Sequence, residues 1–233
     1  MDRDQLRQGV AKVWLYAKCI GIGDIFACPT SLRASSSFKE VALNASAHYE
    51  EVYLTGLQGA EYNILLADYS YFQFTLDSVG EARYGFYPNP FIGSSREAMH
   101  ELSTLRAMVD AGGMDVDEYL QAVSEVRVAR HPPLVRYENA PSQYRKLSHP
   151  CSHIHFGHHG ENRWPVKRIL TPQAFGLAIF KQFYGDFWLA EKTVRVQDRD
   201  ITMEEIFALA KSDCRILGEE LFSREEDRQL HFG

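Results

Sequence analysis

The sequence lacks the motifs that announce a cofactor. It has no G-x-x-x-x-G-K-[ST] phosphate loop, no G-x-G-x-x-G turn, no H-E-x-x-H pair and no G-x-S-x-G nucleophile elbow. Cysteine is scarce. The four residues, Cys19, Cys28, Cys151 and Cys214, show no C-x-x-C spacing, which argues against a four-cysteine zinc site or a disulfide framework and for reduced thiols. The longest uncharged hydrophobic stretch, residues 169–180, is far short of the roughly 20 residues of a membrane helix. The opening decapeptide MDRDQLRQGV has no apolar core of the signal-peptide kind. The expected setting is therefore cytoplasmic, with no membrane partner. Internal repeats and low-complexity segments are absent as well.

What is present is a full globular composition. Apolar residues make up 45% of the 233 residues and aromatics 12%, enough for one sizeable core. Net charge is −6, but it is unevenly spread. Between residues 127 and 168 stand eight Lys/Arg (Arg127, Arg130, Arg136, Arg145, Lys146, Arg163, Lys167, Arg168) against Glu138 and Glu161, so this window is +6 and the remainder −12. A local basic segment in an acidic chain points to an anion handled at one site more than to broad adsorption on a polyanion.

Local signals outline the elements. Leu6, Val10, Val13, Trp14 and Ala17 share a helical face, opened by an Asp2/Gln5 capping box. Residues 21–47 are poorly periodic and read as a long connection. "EEVYLTGL", "YNILLADY", "YFQFTLD" and "ARYGFYPNP" read as strands of an antiparallel meander. Ser94 with Glu97 opens a helix bearing Ala98, Leu102, Leu105 and Val109, and Asp115 with Glu118 opens a second one after "AGG". "LVRYENAP" and "SHIHF" read as strands. Thr171-Pro172 starts a mainly buried helix running through Phe175, Ile179, Phe183 and Phe187, and Thr202 with Glu205 starts a last one carrying Ile206, Ala210, Leu217 and Leu221 inward. The expected architecture is one α+β domain over 1–233, an antiparallel sheet covered by helices. Its parts are an N-terminal helix and connection (1–47), a strand meander (48–92), a helical insertion (94–127), His/Arg-rich strands and loop (133–168) and C-terminal helices (171–222).

The segment "SHPCSHIHFGHHGENRWPVKR", residues 148–168, holds five of the nine histidines. If "SHIHF" is a strand, His153 and His155 share one face, while Ile154 and Phe156 point the other way into the core. His149 precedes Pro150, and His158 and His159 follow Gly157 in a turn. Three uses are open. Imidazoles titrate near neutrality, so His153 and His155 could be an acid/base pair for phosphate chemistry, with His149 as auxiliary base or orienting group and Arg163, Lys167 and Arg168 on the phosphate. His149, His153 and His155 could instead hold zinc or manganese, although Glu138 and Glu161 are the only nearby acids and the surroundings are cationic. A partner-binding or ordinary sheet surface is the third. The turn after "RYEN" could bring Glu138 or Asn139 beside the histidines, and Asp68 and Arg83 could face the basic loop.

Taken in order, "DYSYFQF", "ARYGFYPNP", "VRYENAP", "HPCSHIHFG", "NRWPVKRILTP" and "FKQFYGDFW" resemble a bacterial domain-of-unknown-function family over most of residues 48–190. "RYENAP" followed by "HPCSHIH" is also similar to the R-Y-D-N-A-P…P-H-H-x-H pattern of TumE-like toxins of bacterial toxin–antitoxin pairs. That likeness implies a toxin or defence-type effector acting on nucleic acid, with an antitoxin or defence-complex protein as possible partner. It places Arg136, Tyr137 and Asn139 on the motif's preceding strand and His149, His153 and His155 at the motif's histidines. Glu138 stands where the pattern has Asp, and Ser142-Gln143 where it has two histidines.

The resulting expectation is a His/Arg site cleaving a phosphodiester, RNA first, without a metal. His149, His153 and His155 are the catalytic candidates, and Arg136, Tyr137, Asn139, Arg163, Lys167 and Arg168 the substrate-binding ones. The alternatives are a zinc- or manganese-dependent hydrolase on the same histidine face, or a non-enzymatic subunit binding nucleic acid or a partner. A catalytic role without a structural one would let His153→Ala abolish activity at a nearly unchanged melting temperature.

Overall fold

The computed structural model describes residues 1–77, 79–92, 96–125, 132–158, 162–190, 193–196 and 199–229. The elements in chain order are α1 (Arg3–Cys19), β1 (Gly23–Phe26), α2 (Ser36–Leu43), α3 (Tyr49–Gln58), β2 (Ile64–Leu66), β3 (Tyr71–Leu76) and β4 (Ala82–Tyr87). Next come α4 (Arg96–Asp110), α5 (Val116–Glu125), β5 (Val135–Asn139), β6 (Ser152–Phe156), β7 (Trp164–Pro165) and β8 (Arg168–Ile169). The chain continues with α6 (Pro172–Phe183), α7 (Gly185–Ala190), β9 (Val194–Val196), β10 (Arg199–Ile201), α8 (Met203–Ser212), β11 (Arg215–Ile216) and α9 (Arg224–Gln229). The fold is α+β, as expected. Strands β1 to β7 lie side by side in chain order in one antiparallel sheet of seven.

Alternation gives this sheet two unlike faces. One carries Phe72, Phe74, Tyr84, Phe86 and Tyr137, which meet Phe175 and Phe180 of α6 and the apolar stripe of α1 in the main core. The other begins apolar, with Tyr71 and Tyr87 stacked at 4.8 Å and covered by Tyr53 of α3 and Phe38 of α2. Towards β5 and β6 this second face turns polar, with Arg83, Arg136, Glu138, His153 and His155. The site lies where the aromatic column ends.

Caps work as the sequence implies. Asp2 accepts from the Gln5 N–H at 2.8 Å while Gln5 reaches back to Asp2, and Thr171 and Thr202 cap α6 and α8. Asp115 and Glu118 form the reciprocal pair ahead of α5. Ser94 lies outside the described residues. Other expectations need correction. "EEVYLTGL" is helix α3, not a strand: Glu50 and Glu51 occupy its first turn, where carboxylates oppose the helix dipole, and Val52, Tyr53 and Gly56 form its buried face. The connection 21–47 contains β1 and α2, the latter capped by Ser35. The long buried helix breaks at Tyr184 into α6 and α7. The last helix stops at Ser212, and Leu217 and Leu221 pack separately with Cys151 and Phe222. It stops there because Arg168 donates to the carbonyls of Lys211 and Cys214, and β11 then pairs with β8.

Helices α1 and α6 touch through small residues. A Cβ on Gly176 would sit 2.7 and 2.8 Å from the Val13 methyls, and one on Gly9 3.0 Å from the Pro172 ring. Gly176 therefore lets the two helices close over the sheet. Gly176→Val should lower the unfolding free energy in urea by about 1–3 kcal/mol through overpacking, despite glycine's poor helix propensity; equal or greater stability would contradict the packing described.

Candidate functional site

Register assembles the site. β4, β5 and β6 pair so that Arg83 stands opposite Glu138 and Glu138 opposite His153, while Gly85, Arg136 and His155 form the next row. The sheet thus brings a carboxylate from a neighbouring strand against the two histidines. Ligand atoms of Glu138, His153 and His155 all lie within 4.8 Å of one another. Glu138 is half-buried, and its nearest cation is Arg83, at 4.0 Å and shared with Glu81 at 3.3 Å.

His153 is wholly buried, against the expectation of an open histidine face, and Phe156, expected in the core, is 44% exposed at the strand end. Ile154 does pack against the main core. His153 Nδ1 lies 2.7 Å from the Pro150 carbonyl, which can only accept, so Nδ1 carries the proton and Nε2 the lone pair. Nε2 is buried with no hydrogen-bond partner. Burial, opposed by that hydrogen bond and assisted by the charge of His155, pushes the pKa of His153 down to about 4, so it is neutral near pH 7. The rings of His149 and His155 stand edge-on to it at 5.0 and 4.8 Å, and His149 Nδ1 is also buried without a hydrogen-bond partner. A fixed tautomer with an unused, neutral lone pair beside a carboxylate is a ligand set for a divalent ion.

The turn bearing His149 is clipped from behind. Arg145 and His149 exchange backbone hydrogen bonds across Leu147, which has φ +65°. Glu226 of α9, fully buried, accepts from Leu147 N–H at 3.1 Å, Tyr144 Oη–H at 2.8 Å and Ser223 N–H at 2.7 Å. Burial would raise the Glu226 pKa, but these hydrogen bonds outweigh it and hold the carboxyl below its usual range. Sequence reasoning missed Glu226, because Tyr144 and Leu147, which tie it to the histidine turn, lie far away in the chain.

Several expected substrate contacts are spent on structure. Tyr137 and Asn139 point to the face opposite the histidines. The Tyr137 hydroxyl accepts from Leu170 N–H and donates to Ser152 Oγ, which donates to the Arg168 carbonyl, and Asn139 reaches Cys151. Cys151 is buried in a small apolar cluster with Leu217 and Phe222, its thiol pushed up to about 11 by desolvation. Lys167 pairs with Asp227 at 2.9 Å, and Arg168 closes the end of α8. Arg163 is half-buried just before β7. Asp68 is buried under Tyr184, away from the basic loop. Among the expected substrate-binding residues, Arg136 shares the histidines' face, in register with His155. His158 lies against Tyr49, and His159 and Glu161 fall outside the described residues.

His153 also sets a pH dependence. In the unfolded chain it binds a proton near pH 6.5, in the fold only near 4. Between those values the unfolded state holds the extra proton. Stability is therefore complete above 6.5 and falls as pH drops through the window, by an amount on the order of 3 kcal/mol. In urea melts of EDTA-treated protein, His153→Leu should show a shallower loss between pH 6.5 and 4 than wild type; parallel curves would contradict a buried neutral His153. Because the ring fills buried space, His153→Ala should also lower the melting temperature.

With this geometry in hand, comparison with known proteins adds a family. A family model described as an uncharacterized conserved protein (DUF2290) matches residues 29–233. No curated protein and no solved structure shows significant similarity to the chain.

Proposed function

The chain belongs to the uncharacterised family DUF2290, whose description brings no activity with it, and we propose from the site itself that the protein is a metal-assisted hydrolase of phosphate esters. The observation that carries this is the meeting of Glu138, His153 and His155 within 4.8 Å, with His153 Nε2 unpartnered. Two imidazoles and one carboxylate suit zinc or manganese and leave a coordination position for water. A bound ion would supply a hydroxide-like nucleophile near neutral pH by lowering the pKa of that water to roughly 7. Arg136, one register step from the cluster, can stabilise the charge that builds on phosphate oxygens.

Burial favours this reading over the metal-free acid/base pair. A wholly buried imidazole with pKa about 4 is not an imidazolium at pH 7, and its one proton is committed to the Pro150 carbonyl, so it cannot serve as the general acid. As a metal ligand, the same histidine needs to be neutral. RNA is the first substrate class to test, on the likeness of "RYENAP" and "HPCSHIH" to TumE-like toxins, and a toxin or defence role with an antitoxin-like partner rests on the same likeness.

The test incubates wild type, Glu138→Gln and His153→Ala with labelled RNA and DNA, each with EDTA, zinc or manganese, beside calorimetric titration of each metal. Wild type should bind one ion per chain, lose cleavage in EDTA and regain it with metal. Each variant should lose roughly 100-fold or more in rate. Cleavage that survives EDTA would return the acid/base pair, and no metal binding would remove the proposal.

A further inference from the structure

The polar face of the sheet opens into a cavity of about 970 Å³, floored by β3, β4 and β5 and walled by residues 30–34 and α2. Glu138 belongs both to this cavity and to the histidine cluster, whereas His153 and His155 stand behind it and do not line the space. Arg33, Lys39, Arg83 and Arg136 line the cavity, together with Arg3 and Arg7 of α1. The lining acids are Asp4, Asp77 and Glu138. Most of their charge is already spent. Arg7 pairs with Asp4 at 3.4 Å, Arg83 with Glu81 and Glu138, and Asp77 accepts from the backbone of its own turn. Among the described residues Arg3, Arg33, Lys39 and Arg136 have no carboxylate partner, and Arg136 Nε is buried with no hydrogen-bond partner.

The rest of the lining mixes neutral polar groups such as Ser31 and Gln73 with apolar ones. Ala34, Phe38 and Ala42 line the wall, and Gly85 stands on the floor between Gln73 and Arg136. A Cβ on Gly85 would meet the Tyr87 ring at 2.5 Å, so the ring leans over that position. Four cations without carboxylate partners around a cavity of mixed lining, in a chain of net charge −6, describe a receptor for a small anion with a less polar body.

We propose that this cavity binds a phosphate ester of mononucleotide to dinucleotide size, its phosphates on Arg33, Lys39 and Arg136 and its base or sugar against the α2 wall. The size limit follows from volume and charge together. Small-ligand sites occupy roughly 300–1,000 Å³, and a long polyanion extending beyond the cavity would be repelled by a chain of net charge −6. The inference deepens the proposed hydrolase by naming the size of its substrate, and it rests on that reading for what is cleaved but not for what is bound.

The experiment is equilibrium dialysis of the full chain in EDTA with 5′-phosphorylated diuridylate, inorganic phosphate and a 30-nucleotide oligouridylate. The dinucleotide should bind one per chain. Arg33→Gln and Arg136→Gln should each weaken it about tenfold or more, with melting temperature retained, whereas Arg224→Gln, whose guanidinium pairs with Glu219, should not. With about three phosphate contacts, affinity should fall by about two decades per decade of salt. No dinucleotide binding by folded protein, wild-type binding by both cavity variants, or a far tighter and more salt-sensitive complex with the long strand would each overturn the inference. Dinucleotide binding without metal binding would sink the hydrolase reading alone, and metal-activated cleavage without dinucleotide binding would sink this one alone.

Discussion

Everything at the site depends on the antiparallel register that sets β5 against β6. With Glu138 opposite His153 and Arg136 opposite His155, Val135 and Tyr137 are committed to the aromatic core on the far side. A slip of one residue would exchange the faces, driving Arg136 and Glu138 among Tyr84, Phe175 and Phe180, with charge desolvation costing several kcal/mol per ion. The core therefore specifies the site indirectly. Aromatic burial on one face leaves the polar residues no alternative to the other.

That register is locked by hydrogen bonds that use up groups which look functional in isolation. The run from Leu170 through Tyr137 and Ser152 to the Arg168 carbonyl ties β5, β6 and β8 into one unit, and the Arg168 side chain carries the connection to the end of α8. Glu226 does the same for the turn before β6, holding His149 and Pro150 and so the carbonyl that orients His153. The C-terminal helix thus acts on the histidine cluster through one buried carboxylate, without touching it.

Two environments meet at Glu138. Behind it the histidines are dry and His153 is neutral, with a lone pair unspent; in front of it a cationic cavity opens to solvent. An ion held at the boundary would face an anion held in the cavity, the arrangement that metal-assisted phosphate chemistry requires. The net charge of −6, which argues against long polyanions, is no obstacle to a ligand confined to the cavity.

The sequence by itself determined the local features. Asp2/Gln5, Thr171-Pro172 and Thr202/Glu205 start their helices because one side chain and one backbone N–H suffice, and the two-residue period of "SHIHF" sets His153 and His155 on one face. The same local logic misread "EEVYLTGL", whose β-branched and aromatic residues serve as well in a helix once α3 has a sheet to cover. Only the tertiary structure decided which face of β6 is buried, that Glu138 meets the histidines, and that Lys167 and Arg168 are bound to Asp227 and α8. The cationic cavity was equally illegible, since Arg33 and Lys39 lie outside the basic window of the chain. Register and pairing join residues distant in the chain, and their free energy depends on burial that no short stretch of sequence encodes.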